Sequence, residues 1–222
     1  MNLELYRPVY LYTSLYTKLM TTAFSSSQSP QEKLTPAAST ILTTASRLFY
    51  EFGIHAVGVD RIAKESGITK KTLYDRFGSK QELVLAYLRR REDQWRSALK
   101  RSLSEHPVPG TERVLAVFDA ADLWYTGRST KGCSAVNARA EAGPEPAGIA
   151  ILTEVTSQKI WMLDQFRALC KEAKLSNPEA LAQQLQLLLE GALVTLGTRS
   201  FAEPIRVAKK AAMVLLEGSA PQ

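Results

Sequence analysis

Apolar residues recur every three or four positions along most of this chain, which is the spacing that lines one face of an α-helix. The clearest stripe begins after Thr35 and Pro36, an N-cap residue and a first-turn proline that together predict a helix start. Gly53 is expected to end that helix. The stripe between these signals consists of Ala38, Ile41, Leu42, Ala45, Leu48, Phe49 and Phe52.

Two short helices and one long helix are predicted next. The second helix runs from about Val59 to Ser66, and Gly67 supplies a turn. Thr69 caps a third helix that ends at Gly78. The segment Ser79–Glu82 has the sequence of a capping box and opens a fourth, long helix. One apolar face of that helix contains Val84, Leu88, Trp95 and Leu99.

The run His106–Gly110 marks a domain boundary, because it holds two prolines and a glycine. Beyond this run further helices are expected, and a loop over 127–132 follows the first of them. Their predicted spans are Thr111 to Tyr125, Cys133 to Ala142, about Ala147 to Ala173, Pro178 to about Arg199, and a last helix from Pro204. No segment alternates apolar and polar residues as a strand would, so the chain is predicted to be all-α.

The two short helices around Gly67 have the spacing of a helix-turn-helix, which places its second helix in the major groove of DNA. The charge distribution agrees with that partner. Residues 36–105 contain 13 Lys and Arg against 8 Asp and Glu, whereas residues 106–222 contain 12 of each. The positive charge is therefore concentrated where phosphates would be neutralised, although a solvated basic face would show the same excess.

The segment from Thr35 to Leu103 resembles the DNA-binding domain of the TetR family of bacterial transcriptional regulators. The residues that carry this resemblance are Ala45, Phe49, Gly53, Val59, Ile62, Ala63, Gly67, Ile68, Thr72, Leu73, Tyr74, Phe77 and Lys80. Gly132-Cys133 and the segment Asn137–Glu141 are similar to a pattern found in one group of these proteins. Gly58 departs from the family, in which a hydroxyl that could reach a phosphate is common at that position.

The resemblance implies three parts. These are a flexible extension over 1–34, a three-helix helix-turn-helix domain over 35–105, and a helical domain over 110–218 that binds a ligand and forms a homodimer. The expected contacts with duplex DNA are Thr69, Lys70, Lys71, Thr72, Tyr74 and Lys80. Of these, Tyr74 and Lys80 would contact the DNA backbone, and Thr69 could instead serve only as a cap. Leu73 and Phe77 are expected in the core.

The resemblance also implies a small-molecule pocket in the C-terminal domain. Candidate wall residues are Phe118, Asp122, Trp124, Asn137, Glu141, Trp161, Met162 and Phe166, with Tyr125 and Gln165 as further candidates. Aromatic residues at helical spacing are also typical of an ordinary core. The last two helices are predicted to form a dimer seam, or part of the core, through Leu181, Leu185, Leu188, Leu189, Ala192, Ala208 and Leu215.

Several other functions are not expected. With two histidines, no glycine-rich phosphate loop and no nucleophile elbow, the chain is not predicted to be an enzyme or to need a metal or cofactor. Its two cysteines, Cys133 and Cys170, suit the reducing cytoplasm, and no apolar run is long enough to cross a membrane. We therefore expect a repressor that a ligand releases from a palindromic operator. The alternative is a redox-sensing regulator that uses Cys133, which lies near Lys131 and at a helix start.

Overall fold

A computed structural model describes residues 34–126 and 131–219, and over these residues the backbone forms nine α-helices and no strand. The helices are α1 (Pro36–Phe52), α2 (Val59–Ser66), α3 (Lys70–Phe77), α4 (Lys80–Ser104), α5 (Thr111–Tyr125), α6 (Ser134–Glu141), α7 (Pro146–Glu172), α8 (Pro178–Thr198) and α9 (Pro204–Glu217). The all-α prediction is confirmed. The predicted extension over 1–34, apart from Leu34, and most of the loop over 127–132 lie outside the described residues.

Local signals set the ends of α2, α3 and α4. Gly67 closes α2 with a φ of 69°, a left-handed conformation that strongly favours glycine. The Thr69 hydroxyl caps α3 by accepting from the Thr72 amide at 3.2 Å. Ser79 caps α4 by accepting from the Glu82 amide at 3.1 Å. The reciprocal half of the predicted capping box is not formed, because the Ser79 amide donates to the Phe77 carbonyl at 2.8 Å.

The first hydrophobic core joins helices α1 to α4. Leu73 of α3 is fully buried in it, as predicted, whereas Phe77 is half-buried and packs against its edge. The core also takes in small and β-branched residues from beyond the predicted domain boundary, namely Ala135, Ala138, Ile151 and Val155. Helices α6 and α7 therefore contribute to the same core as helices α1 to α4.

The second core lies among the end of α4 and helices α5, α7, α8 and α9. Phe118 of α5 and Phe166 of α7 are completely buried at its centre, with their ring centroids 6.0 Å apart. Five of the seven residues predicted for a dimer seam belong to this core within one chain, which are Leu181, Leu185, Leu189, Ala192 and Ala208. The apolar stripe that suggested a seam is the side of α8 and α9 that faces their own chain.

None of the described helices is both long enough and apolar enough to cross a membrane.

Candidate nucleic-acid interface and ligand cavity

Helix α3 presents one exposed polar face. Thr69, Lys70, Lys71 and Tyr74 are all exposed, and 47% of Tyr74 is open to solvent although it is a large aromatic residue. Thr72 is half-buried, and its hydroxyl lies 3.0 Å from the hydroxyl of Thr69. Leu73, in the same helix, is fully buried and packs α3 against the first core.

The three lysines predicted to contact DNA have different surroundings. Lys70 forms an ion pair with Asp60 of α2, and this hydrogen bond raises the pKa of the lysine. Lys71 is exposed and has no ion-pair partner among the described residues. Lys80 is half-buried at the start of α4, where burial lowers its pKa while the Glu141 carboxylate opposes that effect. Four of the six predicted residues are therefore exposed, whereas Thr72 and Lys80 are half-buried.

The Glu65 carboxylate joins α1 to α2 through hydrogen bonds. Glu65 of α2 accepts from Arg61 at 2.8 Å and from Arg47 of α1 at 2.5 Å, and these two hydrogen bonds lower its pKa. The Arg61 guanidinium also lies over the Phe52 ring, 4.0 Å from its centroid. All of these groups are partly exposed, so the network orients the helices more than it stabilises the fold.

Glu141, at the end of α6, holds the turn that leads into α2. Its carboxylate accepts from the Ile54 amide at 3.0 Å and from the His55 amide at 2.7 Å. Glu141 was predicted to line a ligand pocket; it does not line the enclosed cavity described below, but it borders two surface grooves, one of them together with Asn137. It also joins α6 to the turn that leads into α2. The partners are 86 and 87 residues away along the chain, so no local pattern indicates the contact.

A second contact joins the same two parts of the chain. The buried Tyr50 hydroxyl of α1 donates to the Gly132 carbonyl at 2.9 Å, just before α6 begins. Gly132 has a φ of 71°, and a Cβ built there would lie 2.5 Å from the Leu193 carbonyl oxygen of α8. Glycine is therefore required where this loop passes between α1 and α8.

A partly enclosed cavity of about 60 Å³ lies between α4, α5, α6, α7 and α8. Trp124 and Met162, both predicted as pocket residues, line it, and so does Tyr125. The Trp95 and Trp124 rings meet edge to face with their centroids 6.2 Å apart. The remaining polar residues of the wall include Arg91, Glu92, Cys133, Ser134, Gln158, Lys159 and Glu190.

The other predicted pocket residues lie elsewhere. Phe118 and Phe166 form the centre of the second core and do not reach the cavity surface. Asp122 of α5 accepts from Arg206 of α9 at 2.9 Å, which is a contact between helices and not part of the cavity wall.

Asn137 and Trp161 border two different surface grooves. Asn137 lies on an exposed side of α6, and its amide donates to the Lys131 carbonyl at 2.9 Å. Trp161 lines a wide surface groove together with Gln165, and the Arg96 guanidinium lies over its ring at 4.2 Å. The eight predicted residues therefore do not form one site, and only two of them line the cavity.

The sequence did carry a signal for one cavity residue that the prediction missed. Arg91 stands in the apolar stripe of α4, between Leu88 and Trp95 and in phase with both. A charged residue on a face that packs against the core is uncommon and points to a special role. The Arg91 guanidinium lies over the Tyr50 ring at 4.0 Å and over the Trp124 ring at 5.9 Å.

Cys133 occupies another part of the cavity wall. The Lys159 ammonium lies 3.2 Å from its sulfur and 2.7 Å from a carboxylate oxygen of Glu190. Burial acts to lower the pKa of Lys159, but the combined attraction of Cys133 and Glu190 outweighs it and raises that pKa. The lysine therefore stays charged beside the sulfur. Cys170, by contrast, is fully buried, and burial raises the pKa of its thiol to about 11.

Residues 41–87 match the family model described as bacterial regulatory proteins, tetR family. The chain is also 43% identical over 80 residues to the HTH-type transcriptional activator FasR of Mycolicibacterium smegmatis. That match covers 36% of this chain and 36% of FasR, so it spans about a third of the relative.

The fold as a whole also has solved relatives. The crystal structure of SCO4454, a TetR-family transcriptional regulator from Streptomyces coelicolor, superposes with a TM-score of 0.73 at 26% identity. The match covers 83% of this chain and 96% of the SCO4454 chain. A transcriptional regulator from Saccharomonospora viridis, solved in complex with choline, has a TM-score of 0.61 at 20% identity. The match covers 81% of this chain and 94% of the choline-bound protein. At this identity the likeness supports a shared fold and no shared ligand.

Proposed function

We propose that the chain is a transcriptional regulator of the TetR family, which its residues 41–87 match, and that it binds duplex DNA as a ligand-responsive repressor in the cytoplasm. It is not an enzyme. The observation that carries this proposal is the exposure of Lys71 and Tyr74 on α3, a short helix that Leu73 packs against the first core. A helix of this size fits the major groove, and its polar side chains would meet base edges and phosphates.

The active form is proposed to be a homodimer built on α8 and α9. After the core-facing residues are set aside, both helices still expose apolar side chains on their outer sides. Leu187 is 73% exposed and Val214 is 69% exposed, and Val194 and Val207 are each exposed by half. The spacing of Leu187 and Val194, and of Val207 and Val214, places each pair on one face of its helix. Two copies of this face would form a four-helix seam.

Helix α6 would carry the signal between ligand and DNA. Cys133 to Ala135, at its start, line the cavity. At its end, the Glu141 carboxylate accepts hydrogen bonds from the amides of the turn before α2. A ligand that shifts the start of this short helix would therefore move a part of the helix-turn-helix segment. Such a shift would change the separation of two recognition helices in a dimer, and so the affinity for a palindromic operator.

Selection of genomic fragments by the purified protein tests the proposal. We expect a small set of promoter fragments to be enriched, and transcription from them in vitro to fall when the protein is added. A rise in transcription would be consistent with the proposed DNA binding but would contradict the proposed role as a repressor. If no fragment is retained above the level of random DNA at physiological salt, the proposal as a whole is wrong.

A second candidate signal is oxidation of Cys133, whose sulfur is half-buried at the cavity wall and lies 3.2 Å from the Lys159 ammonium. In that case the thiolate attacks hydrogen peroxide, the O–O bond breaks, hydroxide leaves and a sulfenic acid forms. Peroxide should then release the wild-type protein from the selected fragments but leave a Cys133→Ser variant bound. Release of both proteins, or of neither, would remove this candidate.

A further inference from the structure

Arg91 is the one cavity residue whose hydrogen bonding is incomplete. Its Nη2 atom is shielded from solvent and has no hydrogen-bond partner among the described residues, although the atom carries two N–H donors. Unpartnered buried donors are uncommon in folded proteins, and a charged one is costly. The aromatic rings of Tyr50 and Trp124 attract the guanidinium but cannot replace a hydrogen-bond acceptor.

The other charges of the cavity wall are already paired. Glu190 accepts from Lys159 at 2.7 Å, and Glu92 accepts from Arg96 at 2.8 Å. No carboxylate of the described residues lies within ion-pair distance of Arg91. The wall therefore has one uncompensated positive charge, and a cationic ligand would meet repulsion from Arg91 and Lys159 together.

We propose that this cavity binds a small organic acid, whose carboxylate accepts hydrogen bonds from Arg91 and whose carbon chain lies against Trp95, Trp124 and Met162. This inference rests on the proposed function, because it names the ligand class of the same cavity. A guanidinium offers paired donors that match the two oxygens of a carboxylate.

The size of the cavity limits the ligand. Its volume of about 60 Å³ is well below the roughly 150 Å³ of an apolar cavity that accommodates benzene. A short aliphatic acid therefore fits better than an aromatic acid. Tyr125 adds a neutral hydroxyl to the wall, since burial raises its pKa well above the usual value.

Matched probes of equal size and different charge test the proposal. Straight-chain carboxylates of two to eight carbons are compared with the primary amides and amines of the same length, by calorimetry on the protein without DNA. We expect at least one carboxylate to bind about tenfold tighter than its amide, and no amine to bind better than its amide. If no carboxylate of the series binds, or if an amine binds best, the proposal is wrong.

Arg91 variants assign the preference to this side chain. Arg91→Met should abolish the difference between carboxylate and amide, Arg91→Lys should retain part of it, and Arg101→Met on the exposed side of α4 should leave it unchanged. The melting temperature of Arg91→Met should be equal to or above that of the wild type, because an unpaired charge is removed. A lower melting temperature together with an unchanged carboxylate preference would make Arg91 a structural cation and contradict the proposal.

Operator release is measured separately. A carboxylate that binds through Arg91 but does not release operator DNA would support the anion site and contradict its regulatory role. Failure of the protein to bind any operator would contradict the proposed function and leave the calorimetric result on the anion site intact.

Discussion

Lys70 and Lys71 are neighbours in the sequence and carry the same charge, but the structure gives them different roles. Lys70 is held by Asp60, so a phosphate must compete with a carboxylate for its ammonium group. Lys71 is exposed, with no such competitor among the described residues. Lys80 is half-buried and faces the region of Glu141. Lys71 is therefore the lysine that is freest to neutralise a phosphate.

We predict that Lys71→Ala weakens binding to all DNA sequences and reduces the slope of log affinity against log salt concentration by about 0.9. The reason is the loss of one phosphate contact, which affects specific and non-specific DNA alike. A salt titration followed by fluorescence anisotropy measures both quantities. Lys100→Ala, which removes an exposed lysine from α4, is the control. An unchanged slope for Lys71→Ala would exclude Lys71 as a phosphate contact.

The two cysteines should also differ in reactivity. Cys133 is half-buried at the cavity beside a charged lysine, whereas the thiol of Cys170 is fully buried with a pKa raised to about 11. At pH 8 a thiol reagent should modify one cysteine in the folded protein and two after unfolding. The folded Cys133→Ser variant should not be modified. Mass spectrometry counts the modified groups. Equal modification of both cysteines in the folded protein would contradict the burial of Cys170.

At the scale of elements, α6 contacts both the cavity and the turn that leads into α2. It begins beside Cys133 and ends at the Glu141 carboxylate that accepts from the Ile54 and His55 amides. Those two hydrogen bonds to a charged acceptor are stronger than bonds to a neutral one. In the proposed function, this contact couples the cavity to the DNA-binding helices.

We predict that Glu141→Gln lowers the free energy of unfolding by about 1–2 kcal/mol, because a neutral amide is a weaker acceptor for two amide donors. The change should also weaken the response of DNA binding to a ligand. Denaturant unfolding and operator titration with ligand measure the two effects. Glu217→Gln, at an exposed position near the end of α9, should change neither quantity. Full stability and response in Glu141→Gln would show that this contact does not couple the two regions.

Helix positions could be predicted from the sequence because their signals are local. Pro36, Gly67, Thr69 and Pro178 each lie at or beside a helix end in the structure. The cavity could not be predicted, because it depends on contacts between residues far apart in the chain. The hydrogen bonds of Glu141 to the Ile54 and His55 amides could not be predicted either, because these partners lie 87 and 86 residues away along the chain. Arg91, a charged residue in the apolar stripe of α4, is the one local signal in the sequence that points to the cavity.

At the scale of the whole molecule, the outer face of α8 and α9 is proposed as the dimer seam. The sequence could not separate this face from the core, since apolar residues cover both sides of the two helices. Leu188, for example, is half-buried and packs against the second core, whereas its neighbour Leu187 is 73% exposed. A charge at Leu188 would disturb folding, and a charge at Leu187 would act on assembly alone.

We predict that Leu187→Glu gives a folded monomer at micromolar concentration, while the wild type is a dimer, because two buried glutamates would face each other across the seam. Light scattering gives the mass, and circular dichroism reports the helical content. Leu123→Glu, at a position on α5 that is 79% exposed, is the matched control and should remain dimeric. A wild-type monomer, or a dimeric Leu187→Glu protein, would contradict the proposed seam.

The central claim is that a pair of α3 helices reads DNA, and a hydroxyl-radical footprint on a selected fragment tests it most directly. Two copies related by a two-fold axis should protect two half-sites of related, inverted sequence on one face of the duplex, separated by whole helical turns. Tyr74→Ala should erase both halves while leaving the dimer intact. One asymmetric protected stretch, or a footprint that Tyr74→Ala does not change, would contradict the account.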